Sequence, residues 1–84
     1  MAVNLKIREQ LPLGCIVLDN ASYDNDIIGT TFDGRAIYDF DLMIEELMWD
    51  EGWNYEEAVE WIEYNTIRAL PYANGKAPII VNKI

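Results

Sequence analysis

Residues 27–40, I-I-G-T-T-F-D-G-R-A-I-Y-D-F, carry the signature of a β-hairpin. Two apolar runs of strand length flank Asp33 and Gly34, and this dipeptide accepts the positive φ angles of a type I′ turn. Beyond the hairpin, the apolar residues recur at helical rather than alternating spacing. The stretch therefore indicates a domain that combines a sheet with helices.

A helix is predicted over about residues 41–51, directly after the hairpin. Asp41 can cap its N-terminus, and Gly52 can end it because glycine accepts the left-handed conformation that closes a helix. At about 100° per residue, one side of this helix is apolar and is expected to face the core. The expected buried stripe consists of Met43, Ile44, Leu47 and Met48.

A second helix is predicted over about residues 55–70. Asn54 is a good N-cap, and Glu57 stands three residues later in the capping-box position. Trp53 precedes the cap, where an apolar side chain is expected to staple the helix to the core. Pro71 is expected to stop the helix. The expected core face consists of Ala58, Ile62, Asn65, Thr66 and Ala69, with Val59 and Leu70 at its margin.

Shorter elements are predicted on both sides of this central region. Residues 4–11 can form a short N-terminal helix, and the apolar run at 15–18 is typical of a buried strand. Residues 19–26 are rich in side chains that bond their own backbone, which favours a polar loop. An Asn-Gly turn at 74–75 precedes a last strand at 78–81.

Together these elements predict one small α+β domain spanning residues 1–84. The order α-β-β-β-α-α-β places two consecutive helices on one face of an antiparallel or mixed sheet of three or four strands. No internal repeat, linker or low-complexity tract divides the chain.

Acidic residues dominate the middle of the chain. The sequence holds 15 Asp and Glu against 6 Lys and Arg, for a net charge of −9. Every acid except Glu9 lies within residues 19–63, where Arg35 is the only base. Such a charge distribution repels nucleic acid and favours basic partners, although it can also serve only to keep a small domain in solution.

The common sites of catalytic chemistry are missing from the sequence. The chain has no histidine, which excludes the usual general base and both the Ser-His and the Cys-His pair. The only cysteine, Cys15, lies in an apolar run, which favours a buried and unreactive thiol. Residues 24–29, D-N-D-I-I-G, begin like an EF-hand loop, but Arg35 stands where that loop requires glutamate. We therefore expect a non-enzymatic protein without a cofactor or a metal. Weak divalent-cation binding stays open for the loop acids Asp19, Asp24 and Asp26.

The N-terminal stretch M-A-V-N-L-K-I-R-E-Q has no apolar run of signal-peptide length. No window of the sequence approaches the roughly 20 apolar residues of a membrane span. A lone cysteine does not suggest an oxidising compartment. A cytoplasmic location in a bacterial host cell is therefore expected.

The two helices are expected to present acidic side chains together with apolar and aromatic ones. Glu60 repels Glu56 and Glu63 along the second helix, and no interleaved lysine relieves this repulsion. Carboxylates around exposed aromatic groups indicate an interaction surface. The alternative is that the three tryptophans only cover the ends of a thin core. The predicted partner-binding residues are Glu45, Glu46, Trp49, Glu56, Glu60, Glu63, Tyr64 and Ile67.

Two stretches carry a resemblance that covers about residues 15–81. The segments D-G-R-A-I-Y-D-F-D at 33–41 and E-Y-N-T-I-R-A-L-P-Y at 63–72 resemble those of a family of small acidic proteins of Gram-positive bacteria and their prophages. In size and charge the chain is also similar in general type to phage anti-CRISPR inhibitors. The resemblance implies no catalytic residues for this chain.

The leading hypothesis is a phage- or prophage-encoded, non-enzymatic inhibitor. Its acidic face would bind a basic, nucleic-acid-binding surface of a host defence protein, such as a CRISPR-associated nuclease, with carboxylates in the place of phosphates. Neither direct nucleic-acid binding nor membrane binding is expected, and the protein is expected to be a monomer or a homodimer. The alternative hypothesis is a small structural or regulatory module that acts by self-assembly or by binding a host protein through an apolar face.

Overall fold

The computed structural model describes residues 5–12, 14–72 and 77–82. Within them the chain forms the expected α+β fold, in which a mixed three-stranded sheet is combined with helices. The α-helices are α1 (Leu5–Gln10), α2 (Phe40–Glu51) and α3 (Tyr55–Asn65). The strands are β1 (Ile27–Thr30), β2 (Ala36–Asp39) and β3 (Ile79–Val81), and 3-10 helices occupy Ala21–Asp26 and Ile67–Tyr72.

The central strand of the sheet is β2. It pairs antiparallel with β1, which confirms the predicted hairpin, and parallel with β3. A parallel pair needs a long crossover connection, and α2 and α3 supply it between β2 and β3. Ala36 and Tyr38 of β2 are fully buried, as expected of the strand in the middle of the sheet.

The hairpin turn differs from the predicted type I′ turn. Only Gly34, at φ 84°, has a positive φ in this loop, whereas a type I′ turn needs two such residues. The Gly34 N–H donates to the Thr31 carbonyl at 3.0 Å, and the Thr31 N–H donates to the Arg35 carbonyl at 2.8 Å. The loop is therefore a three-residue one, in which glycine takes the left-handed position.

The strand predicted at 15–18 is wrong. This segment is irregular, and the Leu18 N–H donates to the Tyr38 hydroxyl at 3.0 Å instead of to a neighbouring strand. Its apolar side chains are only half-buried, although Cys15 and Leu18 pack against the core. The loop predicted at 19–26 contains the 3-10 helix Ala21–Asp26, which begins where Asn20 accepts the Ser22 N–H at 3.0 Å.

Local hydrogen bonds determine where α2 begins and ends. The N-cap is Asp39 rather than the predicted Asp41, and its carboxylate accepts the Leu42 N–H at 3.2 Å. Gly52 ends the helix as predicted, at φ 71°, and donates its N–H to the Met48 carbonyl at 3.1 Å. The helix therefore starts one residue earlier than expected and stops where expected.

The predicted capping box of α3 is confirmed. The Asn54 side chain accepts the Glu57 N–H at 2.9 Å, and the Glu57 carboxylate accepts the Asn54 N–H at 3.1 Å. The helix ends at Asn65, however, and a 3-10 helix follows instead of the α-helix predicted to about residue 70. Pro71 has no N–H to donate to the Ile67 carbonyl, so an α-helix could not continue unbroken through this residue.

The core lies between the sheet, α2, α3 and the 3-10 helix Ala21–Asp26. Trp53 packs against it, as predicted for a staple. Met48 of α2 is exposed rather than buried. Asn65, the last residue of α3, and Ala69 beyond it are also exposed, although the longer predicted helix placed both on its core face. The buried apolar residues are Tyr23, Ile27, Ala36, Tyr38, Met43, Ile44, Leu47, Ala58 and Ile62.

Two predictions fall partly or wholly outside this description. The Asn-Gly turn at 74–75 lies outside the described residues, and α1 is described from Leu5 onwards. Among the described helices, none combines the length and the apolar character that crossing a bilayer requires.

Candidate interaction surface

Helix α3 presents a continuous acidic face to solvent. Ala58 and Ile62, four residues apart, are fully buried and anchor the inner side of the helix. The outer side then consists of six exposed residues, which we call the α3 face: Glu56, Glu57, Glu60, Trp61, Glu63 and Tyr64. Trp61 is 46 % exposed and Tyr64 is 67 % exposed, so large aromatic surfaces stand among the carboxylates.

An open groove of about 450 Å³ runs along one side of this face. Its central feature is a tryptophan pair: the rings of Trp53 and Trp61 lie with centroids 5.2 Å apart and planes inclined at 53°. This spacing and tilt are typical of a favourable aromatic contact. We call this feature the aromatic groove, and it is lined by Trp53, Glu57, Glu60, Trp61, Tyr64 and Asn65.

Local hydrogen bonds hold two walls of the aromatic groove in place. The Glu57 carboxylate is fixed by the capping box, and the Asn65 side-chain amide donates to the Trp61 carbonyl at 3.1 Å. The guanidinium of Arg68 lies 4.7 Å from the centre of the Tyr64 ring, in cation–π geometry. The groove is therefore largely formed before any partner arrives.

The sequence predicted only part of the groove. It indicated that Trp61 serves the core, whereas the ring lies at the surface between the aromatic groove and a second cavity of about 360 Å³ bounded by residues 16–20. Helical periodicity alone could not place Trp53 beside Trp61, because Trp53 precedes the helix.

Helix α2 contributes a second exposed strip. Leu42, Glu45 and Trp49 follow one another at helical spacing, and all three are exposed, with Trp49 at 74 %. Met48 is exposed beside them. The predicted partner-binding residues Glu45 and Trp49 are thus accessible, as are Glu56, Glu60, Glu63 and Tyr64 on α3.

Two of the predicted partner-binding residues are not exposed. Glu46 is 2 % exposed, because α2 is covered by the 3-10 helix Ala21–Asp26 as well as by α3. Ile67 is half-buried and packs against the core, because it follows the end of α3 and no longer shares the direction of the α3 face. Both placements differ from the exposed positions that helical periodicity predicted for these residues.

The burial of Glu46 creates an acidic cluster inside the molecule. Asp26 is 3 % exposed, and one carboxylate oxygen of Asp26 and one of Glu46 are buried without a hydrogen-bond partner among the described residues. Burial, followed by the negative charges of Glu46 and Asp39, raises the pKa of Asp26 to about 7. Burial also raises the pKa of Glu46, with Asp50 adding to the effect and a hydrogen bond from Asn25 opposing it.

The acidic residues do not assemble into a cation site. In the part of the chain that the structure describes, no group of three or more Cys, Asp or Glu residues is placed to hold a metal ion. Asp19 is exposed, whereas Asp24 and Asp26 are buried. Within the described residues, these three aspartates are therefore not grouped to ligate one ion.

Comparison of the chain with protein-family models, curated proteins and solved structures finds no match. The α3 face, the aromatic groove and the exposed strip of α2 are therefore the features on which a function can be argued.

Proposed function

We propose that this protein is a non-enzymatic binding module whose α3 face covers a basic, nucleic-acid-binding surface of another protein. The observation that carries the proposal is the α3 face itself. Its four carboxylates, Glu56, Glu57, Glu60 and Glu63, are all exposed, and Trp61 and Tyr64 are exposed among them.

The energetics of an isolated helix do not account for this face. Like charges three or four residues apart destabilise a helix by a few tenths of a kcal/mol per pair. Glu56 and Glu57 are compensated by the helix dipole in the first turn, but Glu60 and Glu63 lie beyond it. A basic partner would remove this repulsion, and Trp61 and Tyr64 would supply the desolvated contacts that dominate binding energies.

In its more specific form, the proposal is a phage-encoded inhibitor of a host defence protein such as a CRISPR-associated nuclease. The carboxylates would form ion pairs with the lysine and arginine side chains that otherwise bind phosphates. The inhibitor and the nucleic acid would therefore compete for the same surface. The acidic middle of the sequence supports this form, as does the similarity in general type to phage inhibitors.

The test is a pull-down of a purified CRISPR-associated nuclease at low and moderate salt, with and without competing DNA. We expect binding that weakens as salt rises and that DNA displaces. Substitution of Glu56, Glu60 and Glu63 by lysine should abolish it. The control replaces three exposed acids elsewhere, Glu9, Asp19 and Asp41, by lysine, which changes the net charge equally.

Two results would contradict the proposal. Absence of binding at low salt would reject the nuclease as the partner. Binding that both triple variants weaken equally would show that total charge, and not the α3 face, is responsible.

A second function, self-assembly, is favoured by one observation. Leu42, Met48 and Trp49 are exposed together on α2, and exposed apolar groups of this kind often mark protein interfaces. Light scattering after size exclusion at two protein concentrations separates the two functions. A dimer that Trp49→Ser dissociates would support self-assembly, and a monomer at both concentrations would reject it.

A further inference from the structure

We propose that the aromatic groove binds one arginine side chain of the partner. This inference rests on the proposed function, because it names the group that the α3 face recognises. Trp53 and Trp61 line the groove together with Glu57 and Glu60, and the two indole rings contact each other.

The chemistry of the lining selects a cation. Aromatic faces carry a negative quadrupole that attracts positive charge, and tryptophan is the strongest of them. The ionised carboxylates of Glu57 and Glu60 accept hydrogen bonds and donate none. The Asn65 amide already donates to the Trp61 carbonyl at 3.1 Å. A ligand that is both positively charged and rich in hydrogen-bond donors therefore complements this groove.

The residues that line the groove favour a guanidinium group over an ammonium group. A guanidinium is planar, so it stacks on an indole ring while its edge forms paired hydrogen bonds with a carboxylate. The groove is open along one side, which suits a long side chain entering from a protein surface. Its volume of about 450 Å³ falls within the usual range of small-ligand sites, roughly 300–1,000 Å³.

The molecule contains an internal example of this contact. The Arg68 guanidinium lies over the Tyr64 ring at 4.7 Å, at the border of the same groove. Arg68 is absent from the residues that line the groove, so it leaves the surfaces of Trp53 and Trp61 to another arginine. The bound arginine would form on the tryptophan pair the contact that Arg68 forms on Tyr64.

The groove also requires little rearrangement. The capping box holds Glu57, the core holds one side of Trp53, and the Trp53–Trp61 contact positions the second ring. Pre-organised groups lose less conformational freedom on binding, which leaves more of the interaction free energy as affinity.

The experiment uses the whole protein and three capped tripeptides, Gly-Arg-Gly, Gly-Lys-Gly and Gly-citrulline-Gly. Citrulline has nearly the shape of arginine but carries no charge. The indole N–H signals of Trp49, Trp53 and Trp61 are followed by ¹⁵N NMR during each titration, and they are assigned by Trp→Phe variants. We expect the arginine peptide to shift the Trp53 and Trp61 signals, with Trp49 unchanged as the internal control.

A matched pair of variants tests the contribution of the carboxylate. Glu60→Gln removes a charge inside the groove, and Glu63→Gln removes one on the same helix outside it. We expect Glu60→Gln to weaken the arginine peptide at least about threefold, as for the loss of one exposed charge-assisted contact, and Glu63→Gln to weaken it less. Both residues are exposed, so neither change threatens folding.

Three results would overturn the inference: no shift with the arginine peptide, equal shifts with the citrulline peptide, or lysine binding as tightly as arginine. These outcomes are separable from those of the pull-down. If lysine at 56, 60 and 63 abolishes partner binding while the arginine peptide causes no shift, the proposed function stands and this inference fails. If the arginine peptide binds but lysine at 56, 60 and 63 leaves partner binding unchanged, this inference stands and the proposed function fails.

Discussion

At the scale of single residues, the least expected feature is the buried pair Asp26 and Glu46. Each leaves one carboxylate oxygen without a partner among the described residues, and such groups destabilise a folded protein. The residue type of Glu46 does not indicate burial, because glutamate is rarely fully buried unless it is paired. Only the packing of the 3-10 helix Ala21–Asp26 against α2 brings the two acids together.

The first prediction concerns the pH dependence of Asp26. Its pKa rises from 3.8 to about 7 on folding, so the folded state holds a proton that the unfolded state has released between these values. The stability linked to this proton is complete below about pH 4 and is lost as the pH rises to about 7. Asp26→Asn should therefore raise the free energy of unfolding by roughly 1–3 kcal/mol near pH 8 and change it little near pH 4.

Urea unfolding of both proteins across this pH range measures the difference. Asp19→Asn, at an exposed aspartate, is the control and should leave stability nearly unchanged at either pH. A constant difference between Asp26→Asn and the wild type at all pH values would contradict the assignment of the proton to Asp26.

The second prediction concerns Gly52, which ends α2 at φ 71°. A Cβ added there would meet no atom within 4 Å, so the cost of Gly52→Ala is conformational and should be about 1–2 kcal/mol. Gly29 is also free of neighbours within 4 Å but lacks a positive φ, so Gly29→Ala is the matched control. Denaturant midpoints should fall for the first variant and stay level or rise for the second. Equal losses in the two variants would contradict a cost that arises from the left-handed backbone angle of Gly52.

At the scale of elements, α3 is the part of the molecule that local sequence describes best. Its capping box uses residues three positions apart, so its hydrogen bonds do not depend on the rest of the fold. Its end was predicted less well, because the transition to a 3-10 helix at Ile67 depends on both Pro71 and packing against the core. The groove draws on both parts of the helix, since it extends from Trp53, before the cap, to Asn65, the last residue of α3.

The third prediction tests the capping box. Asn54→Ala removes the acceptor for the Glu57 N–H and should lower the free energy of unfolding by about 1 kcal/mol. It should also release the Glu57 carboxylate, and thus change the fluorescence of the neighbouring tryptophan pair. Asn82→Ala, at an exposed asparagine outside the helices, provides the control. Unchanged stability in Asn54→Ala would mean that packing alone determines the start of α3.

At the scale of the whole molecule, charge opposes the compact state. A net charge of −9 on 84 residues produces self-repulsion, and α3 concentrates part of it on one face. Burial of the apolar core side chains opposes this repulsion. The surface that makes folding less favourable is thus the surface proposed to bind a partner.

The fourth prediction follows from this repulsion. Added sodium chloride screens exposed charges, since the Debye length falls from about 10 Å at 0.1 M to about 3 Å at 1 M. The melting temperature should therefore rise with salt. In a variant with Gln at positions 56, 60 and 63, the melting temperature at low salt should be higher, and its increase with added salt should be smaller. Calorimetry at matched pH measures both effects. If salt raises the melting temperature of both proteins equally, the repulsion arises from charges outside the α3 face.

The sequence by itself determined the features that depend on neighbours along the chain. These features depend on interactions between residues within about four positions of each other, and the types of those residues indicate them directly. They are the hairpin, the end of α2 at Gly52, the Asn54 cap and the charge repulsion along α3. The small α+β fold class followed from these local signals.

Only the tertiary structure decided which distant segments meet. It placed β3 parallel to β2, left residues 15–18 outside the sheet, buried Glu46 against Asp26 and set Trp53 beside Trp61. The physical reason is that burial depends on what covers a side chain, and periodicity predicts a face of an element without predicting its neighbour. The same rule explains why the acidic surface could be anticipated from the sequence, whereas the groove proposed to bind arginine could not.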